Sequence, residues 1–303
     1  MSKSSSPSVV LTSRKLKQIY ATMLHCRMIE DRARLLFPDP GFSKDQFIGN
    51  GLEAVEVGAA LGLRRRDCIG PWGRHFIFSF LKRQPLTSSF QRLFALADSS
   101  EEMSATKAAR AAVAAGVGLA GKNRARRKVT LALSADDLTT SEFLQDMIGF
   151  SIGHKLPVVF VTHDELAAKT NSRRPRRQSP APSFDLPCIS VEANDVVAIY
   201  RVAQEAIRRA REGHGPALIE CIGGLQKTRS ANPAKKKLPE GIDLWRNKDP
   251  LIFMENYLKR KNLWSDAWKS KIADRFSREL DEAVATAESQ RSEGSADKLR
   301  VRA

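Results

Sequence analysis

Two short apolar runs constrain the fold of this 303-residue chain more than any other feature. Val129–Leu133 and Pro157–Val161 are rich in β-branched and aliphatic residues and lack the polar alternation of a half-buried strand. A strand that is apolar on both sides must be covered on both sides, as in parallel sheets flanked by helices. The helical segment Ser141–His154 supplies the crossover that two parallel strands require. The sequence therefore predicts an α/β fold with an open, mostly parallel sheet flanked by helices.

The rest of the chain continues this alternation. Thr12 or Ser13 is predicted to cap a long amphipathic helix that runs to about Phe37. Asn194-Asp195 and Asp249-Pro250 have the composition of further helix starts. Further helices are predicted at Leu52–Leu63, Thr106–Lys122, Val196–Arg211, from Asp249 onward and from about Ser265 to Ser289. Strands are predicted at Ile189–Val191 and Ala217–Ile222, and a short strand or turn at Cys68–Trp72. We interpret residues 1–12 as a leader, 13–245 as the α/β domain and 246–303 as C-terminal helices of the same domain.

Carboxylates follow both central strands. Asp136 and Asp137 come directly after the first apolar run, and Asp164 and Glu165 follow the second. The carboxyl ends of adjacent parallel strands meet at one edge of a sheet, where ligands bind. Hard oxygen ligands of this kind suit magnesium, although a strand-end carboxylate also serves as a solvated group or as a cap for the next helix.

The charge balance is strongly basic, with a formal net charge of +16 and a pI near 10.0. Nucleic acid, a phosphorylated cofactor or an acidic partner would supply the counter-charge, and a solvated basic surface is the plainer alternative. The cations come in bursts at Lys122–Lys128, Arg173–Arg177, Lys235–Lys237 and Lys259–Lys261. None is interleaved with aromatic residues or accompanied by a known recognition motif, so nucleic-acid binding is the weaker hypothesis.

Cysteine usage and hydropathy indicate a reducing compartment. The four cysteines are far apart and show no CxxC spacing, which argues against a zinc site and a disulfide scaffold. No apolar stretch reaches the roughly 20 residues of a membrane span, and residues 1–8 contain no apolar run typical of a signal. We therefore expect a cytoplasmic protein with no membrane partner.

Several motifs, taken in order, carry a family resemblance over nearly the whole chain. They are Met23-Leu24 through Arg27, Glu30-Asp31-Arg32, Glu53–Gly58, Leu156–Val161, Gly213–Glu220, and Trp245 with Asp249-Pro250. The chain resembles the alpha subunit of the thiamine-diphosphate-dependent, decarboxylating component of 2-oxo acid dehydrogenase complexes, pyruvate type. The resemblance implies an α2β2 heterotetramer with thiamine diphosphate between alpha and beta chains. The alpha chain would grip the diphosphate and magnesium.

The resemblance also assigns cofactor-binding positions. The family has Gly-Asp-Gly at the first strand end and Asn-Asn at the second. The residues at the matching positions, together with the arginine that would bind phosphate, are Ala135, Asp136, Asp137, Asp164 and Arg74. Asp136 and Glu165 would hold magnesium, and no catalytic residue is assigned to this chain.

The departures from the family pattern lower the predicted affinity for the cofactor. Ala135 puts a β-carbon where glycine lets the backbone approach a phosphate. At Asp137 a carboxylate about 5 Å from a phosphate costs on the order of 3 kcal/mol at an effective dielectric near 20, roughly a hundredfold in affinity. Gly73 stands where the family has tyrosine, and the histidine-bearing loops of the family are missing. We expect a homologue impaired in cofactor binding, a pseudoenzyme with a structural or regulatory role.

Two other functions remain open from the sequence. In the first, the chain is an active thiamine-diphosphate-dependent subunit, and a beta subunit supplies the activating glutamate. In the second, the basic runs Arg173–Arg177 and Lys235–Lys237 form a surface for nucleic acid or an acidic partner. Glycines in Thr106–Lys122 permit close approach of another helix or subunit, so a homodimer is also possible, with Gly118 in the contact. His75, His154 and His163 are expected to be structural or exposed.

Overall fold

The computed structural model describes residues 11–37, 51–70, 77–98, 107–123, 128–134, 142–163, 186–223 and 249–300. The helices are α1 (Ser13–Leu36), α2 (Glu53–Ala60), α3 (Ile77–Leu81), α4 (Leu86–Asp98), α5 (Lys107–Asn123), α6 (Glu142–Gly153), α7 (Val196–Arg211), α8 (Pro250–Arg260) and α9 (Asp266–Arg300). The strands are β1 (Cys68–Ile69), β2 (Thr130–Ser134), β3 (Val158–His163), β4 (Cys188–Glu192) and β5 (Ala217–Ile222).

The five strands form one parallel sheet in the order β1-β2-β3-β5-β4. β2 and β3, the two apolar runs, are neighbours in the centre, paired from Thr130↔Val158 to Ser134↔Thr162. After β3 the chain crosses to the far edge as β4 and returns through α7, so that β5 lies between β3 and β4. The predicted α/β fold with a parallel sheet flanked by helices is confirmed.

Alternate residues of the central strands pack into two separate cores. Leu131 and Val159 face the larger core, which includes buried residues of α1, α2, α3, α4, α7, α8 and α9. Ala132 and Phe160 point the other way, into a smaller core with α5 and α6. Because both faces of β2 and β3 are covered, neither strand has a polar side.

Polar side chains at the predicted helix starts fix where three helices begin. Thr12 Oγ1 accepts a hydrogen bond from the Lys15 N–H at 3.2 Å. Asp195 Oδ1 accepts from the N–H groups of the second and third residues of α7 at 3.0 and 2.9 Å. Asp249 Oδ1 accepts from the Leu251 N–H at 2.8 Å, with proline at the first position of α8. Each side chain satisfies backbone donors that the helix itself leaves free, which confirms these predicted starts.

The last helix is longer than predicted. α9 continues to Arg300, whereas the sequence suggested an end near Ser289. Gly294 lies within it, and an interior glycine costs only about 1 kcal/mol relative to alanine. Good helix formers follow this glycine, so it does not end the helix.

Gly118 in α5 corrects an expectation about subunit contacts. An ideal Cβ at this position would lie 2.6 Å from Val158 Cγ2 in β3. The glycine therefore lets the helix approach the sheet of its own chain, and its assignment to an intersubunit contact is wrong. A Cβ at Gly116, two residues earlier in the same helix, meets nothing within 4 Å.

None of the described helices is both long enough and apolar enough to cross a membrane.

Candidate functional site

The carboxyl ends of β2 and β3 lie side by side at one edge of the sheet. The last paired positions are Leu133↔Val161 and Ser134↔Thr162. In sequence, residues 135–137 follow β2 directly and residues 164–165 follow β3 directly. The six predicted cofactor and metal residues are outside the described residues, so their roles stay predictions: Arg74, Ala135, Asp136, Asp137, Asp164 and Glu165.

The helical connections on the two sides of this edge diverge. α6, which follows β2, packs in the smaller core, whereas α7, which follows β4, packs in the larger core. β3 and β5 lie between those two strands. In open parallel sheets a ligand crevice forms at the carboxyl ends, where connections leave toward opposite faces. The topology therefore indicates the ends of β2, β3 and β5 as the candidate ligand edge.

His163 ties two strand ends together at this edge. Its side chain is 2% exposed, and Nε2 donates to the carbonyl oxygen of Gly223 at 3.0 Å. Gly223 has φ of +75°, a conformation that glycine adopts without strain. The contact makes His163 a structural residue. His154 is exposed and packs on the Phe150 ring with centroids 4.4 Å apart, and His75 is outside the described residues.

Metal-binding potential in the described part of the chain is low. No group of three or more histidine, cysteine, aspartate or glutamate side chains in those ranges could hold a metal ion. The pair predicted to hold magnesium, Asp136 and Glu165, is not among the described residues.

A buried ion-pair network, which the sequence did not reveal, joins three helices. Arg27 of α1 donates to Glu53 Oε1 and Oε2 at 2.7 and 2.9 Å. The same guanidinium donates to Asp249 Oδ2, at the start of α8, at 2.7 Å. The Glu53 side chain is 0% exposed and also accepts from the Gly51 N–H at 3.0 Å. The network orders the beginning of α2 and fixes α8 against α1.

Two further glutamates lie beside this network, and we call Glu30, Glu53 and Glu56 the acidic cluster. Glu56 is 2% exposed, and its Oε2 has no hydrogen-bond partner. Burial raises the pKa of Glu56 well above its ordinary value, and the charges of Glu30 and Glu53 raise it further. Burial together with the Glu53 charge raises the pKa of Glu30 to about 8, despite its contact with Arg34 at 3.4 Å.

The signal for the acidic cluster was present in the sequence. Every residue of α2 is buried, including Glu53 and Glu56. Two glutamates inside an otherwise apolar helix flanked by glycines indicate a charge that needs a buried partner. Arg27 and Glu30, three positions apart on α1, supply one counter-charge and one further carboxylate.

The geometry defines an open parallel α/β protein with a candidate ligand edge at the carboxyl ends of its strands. Comparison with known families identifies the family within this class of fold. The chain belongs to the family described as "Dehydrogenase E1 component", whose model matches residues 21–295. The resemblance predicted from the motifs is confirmed at this level.

The individual relatives are alpha subunits of 2-oxo acid dehydrogenases. "Pyruvate dehydrogenase E1 component subunit alpha-3, chloroplastic" of Oryza sativa subsp. japonica is 26% identical, covering 90% of this chain and 72% of its own length. "3-methyl-2-oxobutanoate dehydrogenase subunit alpha" of Mycobacterium tuberculosis is 28% identical over 74% of this chain. A Staphylococcus aureus pyruvate dehydrogenase alpha subunit is 26% identical over 58% of it. The chain spans 65% of the mycobacterial relative and 50% of the staphylococcal one.

Proposed function

We propose that this chain is an alpha-type subunit of a 2-oxo acid dehydrogenase with an impaired grip on thiamine diphosphate. It acts as a structural or regulatory subunit beside a beta-type chain. Family membership supports the subunit type. The observation that carries the impairment is the pairing of β2 and β3 as far as Ser134↔Thr162, directly before the substituted positions.

The donor set after these two strands does not fit a diphosphate. A diphosphate needs backbone N–H groups at close approach and a cation held by a few hard oxygens. Asp137, Asp164 and Glu165 stand where the family pattern has one glycine and two neutral asparagines. Each carboxylate near a phosphate costs on the order of 3 kcal/mol, and an all-carboxylate cage neutralises magnesium before the cofactor arrives.

Restoring the family pattern is expected to restore cofactor affinity. The quadruple variant Ala135→Gly, Asp137→Gly, Asp164→Asn, Glu165→Asn removes the β-carbon and three carboxylates from the two strand ends. Isothermal titration with thiamine diphosphate and magnesium should show affinity at least about a hundredfold higher than that of the unmodified chain. Both titrations are run with the chain alone and with a co-expressed beta-type chain.

The control for this titration removes three carboxylates elsewhere. Asp274, Glu279 and Glu282 are exposed on α9, and their amides should leave cofactor binding unchanged. Micromolar binding by the unmodified chain would contradict the impairment and favour the active subunit. Equal gains in the quadruple variant and the control would show that the effect is general electrostatics.

The outer surface of α5 and α6 supports the predicted partner. These two helices pack side by side over the smaller core. Val113, Phe143 and Phe150 on their outer side are 48%, 40% and 39% exposed. Exposed apolar side chains of this size on neighbouring helices are typical of protein interfaces. We place the contact with a beta-type chain, or with a second copy of this chain, on this surface.

Charges on this surface are expected to prevent assembly. Phe143→Glu with Phe150→Glu should lower the mass of the complex measured by light scattering after gel filtration, because a contact would bury both carboxylates. Leu35→Glu is the matched control, since Leu35 is 77% exposed on α1. An unchanged mass for the double variant would exclude α6 from the interface.

A further inference from the structure

We propose that the amino-terminal edge of the sheet is a docking surface for an acidic segment of a partner polypeptide. This edge is opposite the candidate ligand edge, and the proposal does not depend on the proposed function. We call its cations the basic edge: Arg64, Arg65, Arg66, Arg83 and Lys128. The aromatic-free run Lys122–Lys128 contributes one member, and the Arg64–Arg66 turn contributes three.

The sheet register brings these cations together. Cys68 of β1 pairs with Thr130 of β2. Arg66 and Lys128 each precede these paired positions by two residues, so both lie just before the amino-terminal ends of neighbouring strands. Neighbouring strands are about 4.8 Å apart. Cations that are far apart in sequence therefore lie at the same edge of the sheet.

Asp67 fixes the turn that carries the three arginines. Its two carboxylate oxygens accept from Arg211 at 2.8 Å each. They also accept from the N–H groups of Val129 at 3.1 Å and Arg64 at 2.7 Å. The Asp67 side chain is 0% exposed, and these donors hold its pKa below the ordinary value against the effect of burial.

Lys82 secures the same turn from the other side. Its ammonium group donates to the carbonyl oxygens of Arg64 at 3.0 Å and Arg65 at 2.8 Å, and also to that of Asp67. The next residue is Arg83, so this contact also positions the fourth arginine beside the turn. Because these hydrogen bonds already hold the backbone of the turn, the turn loses little further conformational entropy when a ligand binds. This favours the bound state.

The positive charge at the basic edge is not compensated within the described part of the chain. Arg64, Arg65 and Arg66 are exposed, and no described carboxylate forms an ion pair with them. Asp67 is already neutralised by Arg211. Burial lowers the pKa of Lys15 on α1, and the nearby charge of Arg83 lowers it further. Cations that repel one another on a fixed scaffold are a site for an external anion.

The chemistry of the basic edge favours carboxylates over nucleic acid. Sequence-tolerant nucleic-acid surfaces combine cations with aromatic side chains on which bases stack. The exposed aromatic rings among the described residues, Phe143 and Phe150, are on α6 and not between these cations. Arginine guanidinium groups bind carboxylates in a bidentate manner, and several on one turn match an acidic run.

Titration with a labelled oligoglutamate peptide tests the proposal. The full chain is titrated by fluorescence anisotropy, with a single-stranded RNA of equal length as the competing probe. Arg64→Ser, Arg65→Ser and Arg66→Ser together should weaken oligoglutamate binding by about tenfold or more. The matched control removes the same charge at the exposed Lys259, Arg260 and Lys261, and should change the affinity by less than about twofold.

A second variant tests the basic edge without changing the turn that carries Arg64–Arg66. Arg83→Ser with Lys128→Ser leaves Arg64–Arg66 intact and should also weaken peptide binding, while thermal unfolding checks that each variant is folded. Equal losses at the basic edge and at Lys259–Lys261 would overturn the proposal, because binding would then follow net charge alone. Tighter binding of RNA than of peptide at physiological salt would overturn it in favour of nucleic acid.

Discussion

Arg27→Met is expected to lower the free energy of unfolding by about 3–5 kcal/mol, as is typical when one partner of a buried ion pair is removed. The guanidinium is 17% exposed and makes three contacts of 2.7 to 2.9 Å with Glu53 and Asp249. Methionine fills similar space but leaves the fully buried Glu53 carboxylate without its counter-ion. Chemical denaturation at neutral pH measures the difference.

Arg208→Met provides the control because it removes a similar number of contacts at an exposed position. Arg208 on α7 makes four contacts of 2.6 to 2.9 Å with Glu205 and Glu212, and its side chain is 53% exposed. Water screens such pairs, so the stability should change little. Equal losses for the two variants would contradict the assignment of the Arg27 network as the tie between α1, α2 and α8.

The sheet could be predicted from the sequence because the residue patterns that define it lie within short segments. β2 and β3 are apolar on both sides, and the caps at Thr12, Asp195 and Asp249 lie next to the helices that they begin. Gly118 is a position whose contact could not be predicted from the neighbouring sequence. Its small size signalled a close approach, but the sequence did not show that the neighbour is Val158 of the same chain.

The contacts of the Arg27 network and of the basic edge depend on tertiary distances. Glu53 meets Arg27 across 26 positions and Asp249 reaches the same arginine across 222. Asp67 and Arg211 are 144 positions apart. The parallel pairing of β2 with β3 was predicted correctly, since both runs are apolar on both sides and a helix connects them. The ligand edge stays a prediction, and its ligands, Asp136 and Glu165 among them, rest on the resemblance.

Glu56→Gln is expected to stabilise the protein, and the gain should grow with pH. In the folded state the acidic cluster retains a proton that the unfolded chain releases, because the pKa of Glu30 is raised from 4.5 to about 8 and that of Glu56 is also raised. A carboxyl group whose pKa is raised on folding stabilises the folded state fully below pH 4.5. This contribution is lost as the pH rises toward 8. In this pH window, each proton that the folded state retains lowers the free energy of unfolding by about 1.4 kcal/mol for every unit of pH.

Glutamine at position 56 keeps the shape of the protonated carboxyl and removes its titration. We therefore expect the stability gain of the variant over the unmodified protein to increase from pH 5 to pH 7, by at most about 1.4 kcal/mol per pH unit for the one titrating proton removed, measured by denaturant unfolding in steps of pH.

The same substitution on an exposed helix separates this effect from a general loss of negative charge. Glu205 on α7 pairs with Arg208, which lowers the pKa of Glu205, so Glu205→Gln removes a favourable charge and should bring no gain that rises with pH. If Glu56→Gln follows the pH dependence of the unmodified protein, the proton retained on folding is not on Glu56. A flatter profile for Glu56→Gln alone places the proton on Glu56, because Glu30 and Glu56 are the buried carboxyls with raised pKa among the described residues.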